Sequence, residues 1–113
     1  HGYTYSGIPI AVAAALAVQD IFEKEDIFKR TKEMSPYFLD GLFSLKDLDC
    51  VANIRGYGMM GGIDIKPADK PGKAGYTCFE ECYKAGVNFK ATGDCLILAP
   101  AFICEKKIHK IAF

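Results

Sequence analysis

The hydrophobic and polar positions along the chain predict helices first and a sheet afterwards. Alanine-rich apolar residues fill most of the run 8–23, which predicts a helix with Pro9 in its first turn. This helix is apolar nearly all round between Ile10 and Val18, so we expect it to be buried on more than one side, in a large protein or at an interface.

Helical spacing of apolar residues predicts a second helix over 27–45. Asp26 is the expected N-cap of that helix, and Pro36 is expected to kink or split it. Alternating patterns then predict four strands, over 50–55, 59–65, 87–91 and 95–98. Two further helices are predicted, one over 73–85 that Gly86 stops and a last one over 105–113. The order predicts an α+β fold: a small, largely antiparallel sheet with helices on one face, preceded by a long helix.

Composition excludes several kinds of partner. The chain has 113 residues, and its 14 basic and 14 acidic side chains give a formal net charge of zero. Nucleic acid and anionic membranes attract clustered basic charge, so we expect neither as a partner. The longest apolar run spans residues 8–18, whereas a membrane-spanning helix needs about 20 residues.

The cysteines carry no recognisable metal or redox motif. They are Cys50, Cys78, Cys82, Cys95 and Cys104. No Cys-x-x-Cys pair occurs, and His1 and His109 do not complete a zinc-ligand spacing, so we expect no metal. Scattered cysteines of this kind predict buried, reduced thiols in a cytosolic or organelle-matrix protein.

The loop formed by residues 1–9 has the composition of an anion-binding segment. It places hydroxyls and glycines directly before a helix N-terminus, where unpaired backbone N–H groups and the helix dipole favour phosphate. Thr4 and Ser6 supply possible hydroxyl donors. Because such a specific loop stands at the start of the chain, we expect the chain to be a piece of a longer protein.

The pattern Gly56-x-Gly58-x-x-Gly61 matches a dinucleotide-binding motif, but a strand follows it where that motif requires a helix. We therefore interpret it as a glycine-rich hairpin turn. Arg55 precedes this turn and could bind a carboxylate or phosphate. Alternatively, it pairs with a nearby acid such as Asp64 or bonds loop carbonyls, and we favour this structural role.

Lys90 is predicted to close a short strand beside a turn, where functional cations and ordinary solvated lysines are equally common. No combination of nucleophile and base is visible, so we assign no catalytic residue to the chain. The residues alone indicate no self-contained active site.

Five segments in order carry a resemblance to a known family. They are His1-Gly2-Tyr3-Thr4-Tyr5-Ser6-Gly7-x-Pro9, Ile54-Arg55-Gly56-x-Gly58-Met59-Met60-x-Gly62-Ile63, Ala85-Gly86-Val87, Thr92-Gly93-Asp94 and Leu98-Ala99-Pro100. With them, essentially the whole chain resembles the class III (omega) aminotransferases, and among these the omega-amino acid (β-alanine):pyruvate transaminases. The resemblance implies the fold type I of enzymes that depend on pyridoxal phosphate.

That resemblance implies roles for three residues. Thr4 matches the threonine that holds the cofactor phosphate of the neighbouring subunit, with the backbone of Tyr3 beside it. Lys90 stands where an arginine usually pairs with the substrate carboxylate, and lysine keeps the charge without the bidentate fork. Residues 1–45 would be the cofactor-loop segment and connecting helices, and residues 46–113 the small C-terminal domain.

The implied function is transfer of an amino group from an omega-amino acid or amine to a 2-oxo acid such as pyruvate, by a cytoplasmic homodimer or higher homo-oligomer. The Schiff-base lysine would lie upstream, so this fragment alone is expected to be inactive. Two alternatives stay open: a stand-alone α+β module that binds small molecules or regulates, and a class III aminomutase or racemase.

Overall fold

The structure is a computed structural model that describes residues 2–106. The elements are α1 (Pro9–Lys24), α2 (Ile27–Phe43), a 3₁₀ turn (Ser44–Asp47), β1 (Val51–Tyr57), β2 (Met60–Ile65), α3 (Lys73–Lys84), β3 (Lys90–Thr92) and β4 (Cys95–Leu98). This order confirms the predicted succession as far as the last strand. The helix predicted over 105–113 lies almost wholly outside the described residues.

The four strands form one antiparallel sheet in the order β1-β2-β4-β3. Because directly opposite residues share a face, the register separates two sides of the sheet. One row on the first side joins Ile54, Ile63, Leu96 and Ala91. Both α2 and α3 contribute to the cluster around these residues, so the predicted arrangement with helices on one face is confirmed.

The core forms where α2 crosses glycines of the sheet. Phe38 and Leu42 are the largest fully buried side chains, with exposures of 1% and 0%. A Cβ built on Gly61 would lie 2.6 Å from Leu42 Cδ2, and one on Gly56 would lie 2.8 Å from the same atom. The missing side chains of these two strand residues therefore make the space that Leu42 fills.

The C-terminus of α3 is closed by the predicted glycine. Gly86 has a φ of 90°, its N–H donates to the Tyr83 carbonyl at 3.0 Å, and the Val87 N–H donates to the Cys82 carbonyl at 2.9 Å. This pair of bonds is the Schellman arrangement that satisfies the last carbonyls of a helix. Gly86 ends α3 as the sequence predicts.

Of the two local predictions for α2, the split at Pro36 is wrong, whereas the N-cap position of Asp26 is confirmed without the side-chain bond. Helix α2 continues through Pro36 without splitting, because Met34, Phe38 and Leu42 are buried in the core on both sides of the proline. Asp26 occupies the N-cap position, but it has a left-handed φ of 52° and its side chain makes no capping bond.

Within residues 2–106, helix α1 has no buried residue. Ile10 is 80% exposed and Leu16 is 63% exposed, and the aromatic contact to α2 is at the far end, where the Phe22 and Phe28 rings stack 5.2 Å apart. The predicted burial of α1 therefore stays a prediction about a larger assembly.

Candidate functional site

The loop before α1 is a tight turn with accessible side chains. The Ser6 N–H donates to the Tyr3 carbonyl at 3.1 Å, and Gly7 has a φ of 71°, a conformation that favours glycine. Tyr3 and Tyr5 are 71% and 83% exposed, and Thr4 is exposed between them. The turn therefore presents the Thr4 hydroxyl to its surroundings immediately before the helix.

The start of α1 retains the features that an anion needs. Ile8 is in the N-cap position without a side-chain cap, and Pro9 follows in the first turn. The first turn contains no acidic residue, and the Val12 N–H makes the first helical bond, to the Ile8 carbonyl at 3.0 Å. Backbone N–H groups before Val12 have no partner inside the helix, so they can donate to a phosphate.

Lys90 lies on the side of the sheet opposite the helices. Its row runs through Ile97 and Gly62 to Arg55, and these four residues define what we call the open face. Lys90 is exposed and forms no salt bridge with any residue from 2 to 106. The ammonium group is therefore available to a ligand.

The prediction that Lys90 closes a strand is wrong, because it begins β3. The physical reason lies in the helix that precedes it. The Val87 N–H is bonded to Cys82 in the termination of α3, so the chain joins the sheet only three residues later. Phe89 meanwhile packs its ring against Phe79, with centroids 5.9 Å apart.

Arg55 is occupied by neighbours on the open face, which confirms the favoured interpretation. Its Nη1 donates to Asp64 Oδ2, and its Nη2 donates to Cys95 Sγ at 3.1 Å. Arg55 holds the pKa of Asp64 below its usual range. Partial burial, with a contribution from Asp64, raises the pKa of the Cys95 thiol.

The glycine-rich segment is a hairpin, as predicted, rather than a dinucleotide-binding turn. Gly58 has a φ of 60° in the turn that joins β1 to β2, and Gly56 lies inside β1. The turn occupies residues 58–59 instead of the predicted 56–58, because Gly56 and Tyr57 pair with Gly61 and Met60 across the hairpin. No helix begins at these glycines.

Asp94 connects the hairpin of Lys90 to two other elements, a role that the sequence analysis missed. Its Oδ1 accepts from the Gly75 N–H and its Oδ2 from the Gly72 N–H, both at 2.9 Å. Its carbonyl accepts from the Ile65 N–H at 2.8 Å. The motif Thr92-Gly93-Asp94 indicates a turn, but sequence alone does not show which helix the carboxylate caps.

The structure brings some candidates together and leaves others apart. The Lys90 row contains Arg55, and the hairpin of Lys90 contains Asp94. Thr4 precedes α1, which packs on α2, and no hydrogen bond within residues 2–106 joins Thr4 to Lys90.

The five thiols are all free, but the prediction that they are buried is wrong. Cys50 is exposed and the other four are half-buried. Three of them, Cys50, Cys78 and Cys82, line an apolar cavity of about 240 Å³ between α3 and the sheet. Burial is the main cause and the neighbouring Cys82 the second cause that raise the pKa of Cys78 to about 11.

The described part of the chain offers neither a metal-ligand cluster nor a membrane-spanning helix. Between residues 2 and 106, no group of three or more His, Cys, Asp or Glu side chains is placed to hold a metal ion. In the same segment, no helix is both long enough and apolar enough to cross a membrane.

Comparison with known sequences gives one consistent family. Residues 1–113 match the family model described as aminotransferase class-III. An omega-aminotransferase of Caulobacter vibrioides is 36% identical over 107 residues, which cover 94% of this chain and 24% of that protein. An omega-amino acid–pyruvate aminotransferase of Pseudomonas putida is 36% identical over 107 residues, covering 90% and 23%.

A solved structure shows the same arrangement of elements. The omega transaminase from Pseudomonas jessenii in complex with PMP superimposes with a TM-score of 0.88 at 26% sequence identity, covering 98% of this chain and 26% of that one. The chain thus spans about a quarter of the length of the curated relatives it matches.

Proposed function

Because the chain belongs to the class III aminotransferases, we propose that the protein moves an amino group from an omega-amino acid or amine to a 2-oxo acid such as pyruvate. The family match over the whole chain carries this proposal. The relative from Pseudomonas putida, named for omega-amino acids and pyruvate, supports the substrate class. A stand-alone binding module is not favoured, because the whole chain matches one segment of longer aminotransferases.

The proposed cofactor is pyridoxal phosphate, which, when bound, supplies the electron sink for amino-group transfer. The segment before α1 fits its phosphate: the loop exposes a hydroxyl, the first helical turn has no acidic residue, and no side chain caps the helix. We assign Thr4 as a hydroxyl donor to the phosphate and Tyr3 as its backbone neighbour. The PMP in the Pseudomonas jessenii structure supports this choice of cofactor.

Lys90 is the proposed substrate-binding residue. Its exposed ammonium on the open face has no competing acidic partner in the described chain. A lysine attracts a carboxylate as a point charge, without the two parallel hydrogen bonds that an arginine makes. We therefore propose that Lys90 orients a carboxylate-bearing substrate through charge.

The remaining assignments concern the larger protein. We propose that residues 1–45 are the cofactor-loop segment and connecting helices, and that residues 46–113 are the small C-terminal domain. The apolar surface of α1 suits a subunit interface, so we propose a homodimer or higher homo-oligomer in the cytoplasm. The cofactor-bonding lysine belongs to the part of the protein upstream of this chain, and we assign no catalytic residue here.

The phosphate assignment is tested in the full-length protein with Thr4→Ala, and with Thr4→Ser as the control that keeps the hydroxyl. Loss of one charge-assisted hydrogen bond is worth about 1.5–3 kcal/mol, so we expect Thr4→Ala to weaken pyridoxal phosphate binding roughly 10- to 100-fold in an absorbance titration. Unchanged affinity would refute the role of Thr4.

Mixed dimers test whether Thr4 serves the neighbouring subunit. One subunit carries Thr4→Ala and the other lacks the cofactor-bonding lysine. If Thr4 acts across the interface, the mixed dimer contains one intact site and regains transfer between β-alanine and pyruvate at low cofactor concentration. If Thr4 acts within its own subunit, no site is intact and activity is not regained.

A further inference from the structure

The strand that carries Lys90 is held weakly by the sheet itself. Strand β3 has three residues and, among residues 2–106, lies at the edge of the sheet and pairs with β4 alone. An edge strand of this length has few ladder hydrogen bonds, so its position depends on other contacts. Phe89, directly before β3, packs on Phe79 of α3, and the turn that follows Lys90 supplies further contacts.

Asp94 fixes this turn to the first turn of α3. Its two carboxylate oxygens each accept one backbone N–H, from Gly75 and from Gly72, at 2.9 Å. Both bonds lower the pKa of Asp94, and the bond from Gly75 has the larger effect, so the carboxylate is ionised at neutral pH. The Ile65 N–H holds the Asp94 carbonyl from the other side, at the end of β2.

The turn and the helix also touch without any side chain between them. Gly75 is buried, and a Cβ built on it would lie 2.3 Å from the Gly93 carbonyl oxygen. A Cβ on Gly72 would lie 3.5 Å from Gly93 Cα. The hairpin therefore rests directly on the backbone of α3, where the carboxylate bonds are made.

We propose that Asp94 is a positioning residue for Lys90. By holding the β3–β4 turn against α3, Asp94 keeps β3 in place, so that Lys90 can bind the carboxylate of the amino donor. The inference rests on the proposed substrate role of Lys90. A lysine has no rigid fork with which to select its own geometry, so the place of its ammonium group depends on the position of its strand. Displacing a binding group by about 1 Å can substantially lower the rate at which the bound substrate reacts.

The experiment uses the full-length enzyme with its cofactor and follows the donor half-reaction by stopped-flow absorbance. Two donors are compared: β-alanine, and propylamine, which has a methyl group in place of the carboxylate. The variants are Asp94→Asn, Lys90→Met and the double variant. Asp69→Asn is the matched control, because Asp69 pairs with Lys73 at 2.9 Å at the same end of α3.

We expect Asp94→Asn to raise the β-alanine concentration that gives the half-maximal rate about 5-fold and to leave that for propylamine within about 2-fold. It should have no further effect once Lys90 is methionine. Asp69→Asn should change neither donor. Hydrogen exchange gives a readout independent of activity: the amides of Gly72 and Gly75 should exchange faster in Asp94→Asn and not in the control.

The possible failures are distinguishable. If Lys90→Met weakens the binding of both donors equally, the substrate role of Lys90 is wrong, and the positioning role of Asp94 is then wrong as well. If Lys90→Met selectively weakens β-alanine but Asp94→Asn affects both donors alike, only the positioning role is overturned. An effect of Asp94→Asn that persists in the Lys90→Met background would also overturn it.

Discussion

Replacing Gly75 with alanine sets helix propensity against tertiary packing within one residue. Gly75 lies in the first turn of α3, where alanine is favoured over glycine by about 0.8–1.0 kcal/mol. Propensity alone therefore predicts that Gly75→Ala makes α3 more stable.

The structure predicts the opposite sign. The new Cβ would lie 2.3 Å from the Gly93 carbonyl oxygen and 2.7 Å from Asp94 Cα. Both are backbone atoms, so no side-chain rotation relieves the overlap, and the helix and the turn must separate. We expect a cost near the upper end of the usual range for overpacking, about 3 kcal/mol, which leaves a net loss of about 2 kcal/mol after the propensity gain.

Hydrogen exchange of the α3 amides in the full-length protein measures this loss locally. A change of about 2 kcal/mol in the opening equilibrium corresponds to roughly 30-fold faster exchange. Thr77→Ala is the control, because Thr77 is an exposed residue of the same helix and its replacement should slow exchange by roughly 2- to 3-fold. Slower exchange in both variants would refute the close approach of α3 and the hairpin.

Three further predictions follow from the core, the thiols and the hairpin anchor. Leu42→Ala should lower the free energy of unfolding by about 2–5 kcal/mol in a urea titration, because Leu42 is fully buried; a loss below about 1 kcal/mol would contradict its place in the core. Burial and Cys82 raise the pKa of Cys78 to about 11, so its alkylation by iodoacetamide, followed by mass spectrometry, should still accelerate about tenfold per pH unit from pH 8 to 10, without a plateau near pH 9. The pKa of Asp94 is lowered by its backbone bonds, so its contribution to stability should be complete above the ordinary aspartate pKa and be lost as pH falls through the lower folded value. A carboxyl ¹³C NMR titration of Asp94 with a midpoint at or above the ordinary value would contradict that prediction.

Much of the fold could be predicted from local pattern. The starts of α2 and α3 and both ends of β4 agree with the predicted residues, because apolar spacing and glycine stops are properties of short segments. The pairing of Arg55 with Asp64 was also predictable, since the two residues lie on neighbouring strands of one hairpin. The motifs of the first loop and of the hairpins were sufficient to indicate the family.

Other features required the packed structure. Pro36 stays inside a continuous helix because core contacts on both sides outweigh the lost hydrogen bond. Lys90 begins its strand instead of closing it, because the Schellman bonds hold the preceding residues at the end of α3. Each of these outcomes depends on a partner distant in sequence, or on bonds that end a neighbouring element.

The sequence by itself determined the class of fold through local periodicity and the family through the order of its motifs, and the resemblance to that family supplied the candidate residues Thr4, Tyr3 and Lys90. Only the tertiary structure decided that Asp94 caps α3 through Gly75, 19 residues earlier in the sequence, and that Gly75 must lack a side chain. The physical reason is that capping and close packing depend on which backbone atoms meet in space, and segments far apart along the chain meet only after the sheet and α3 have packed together.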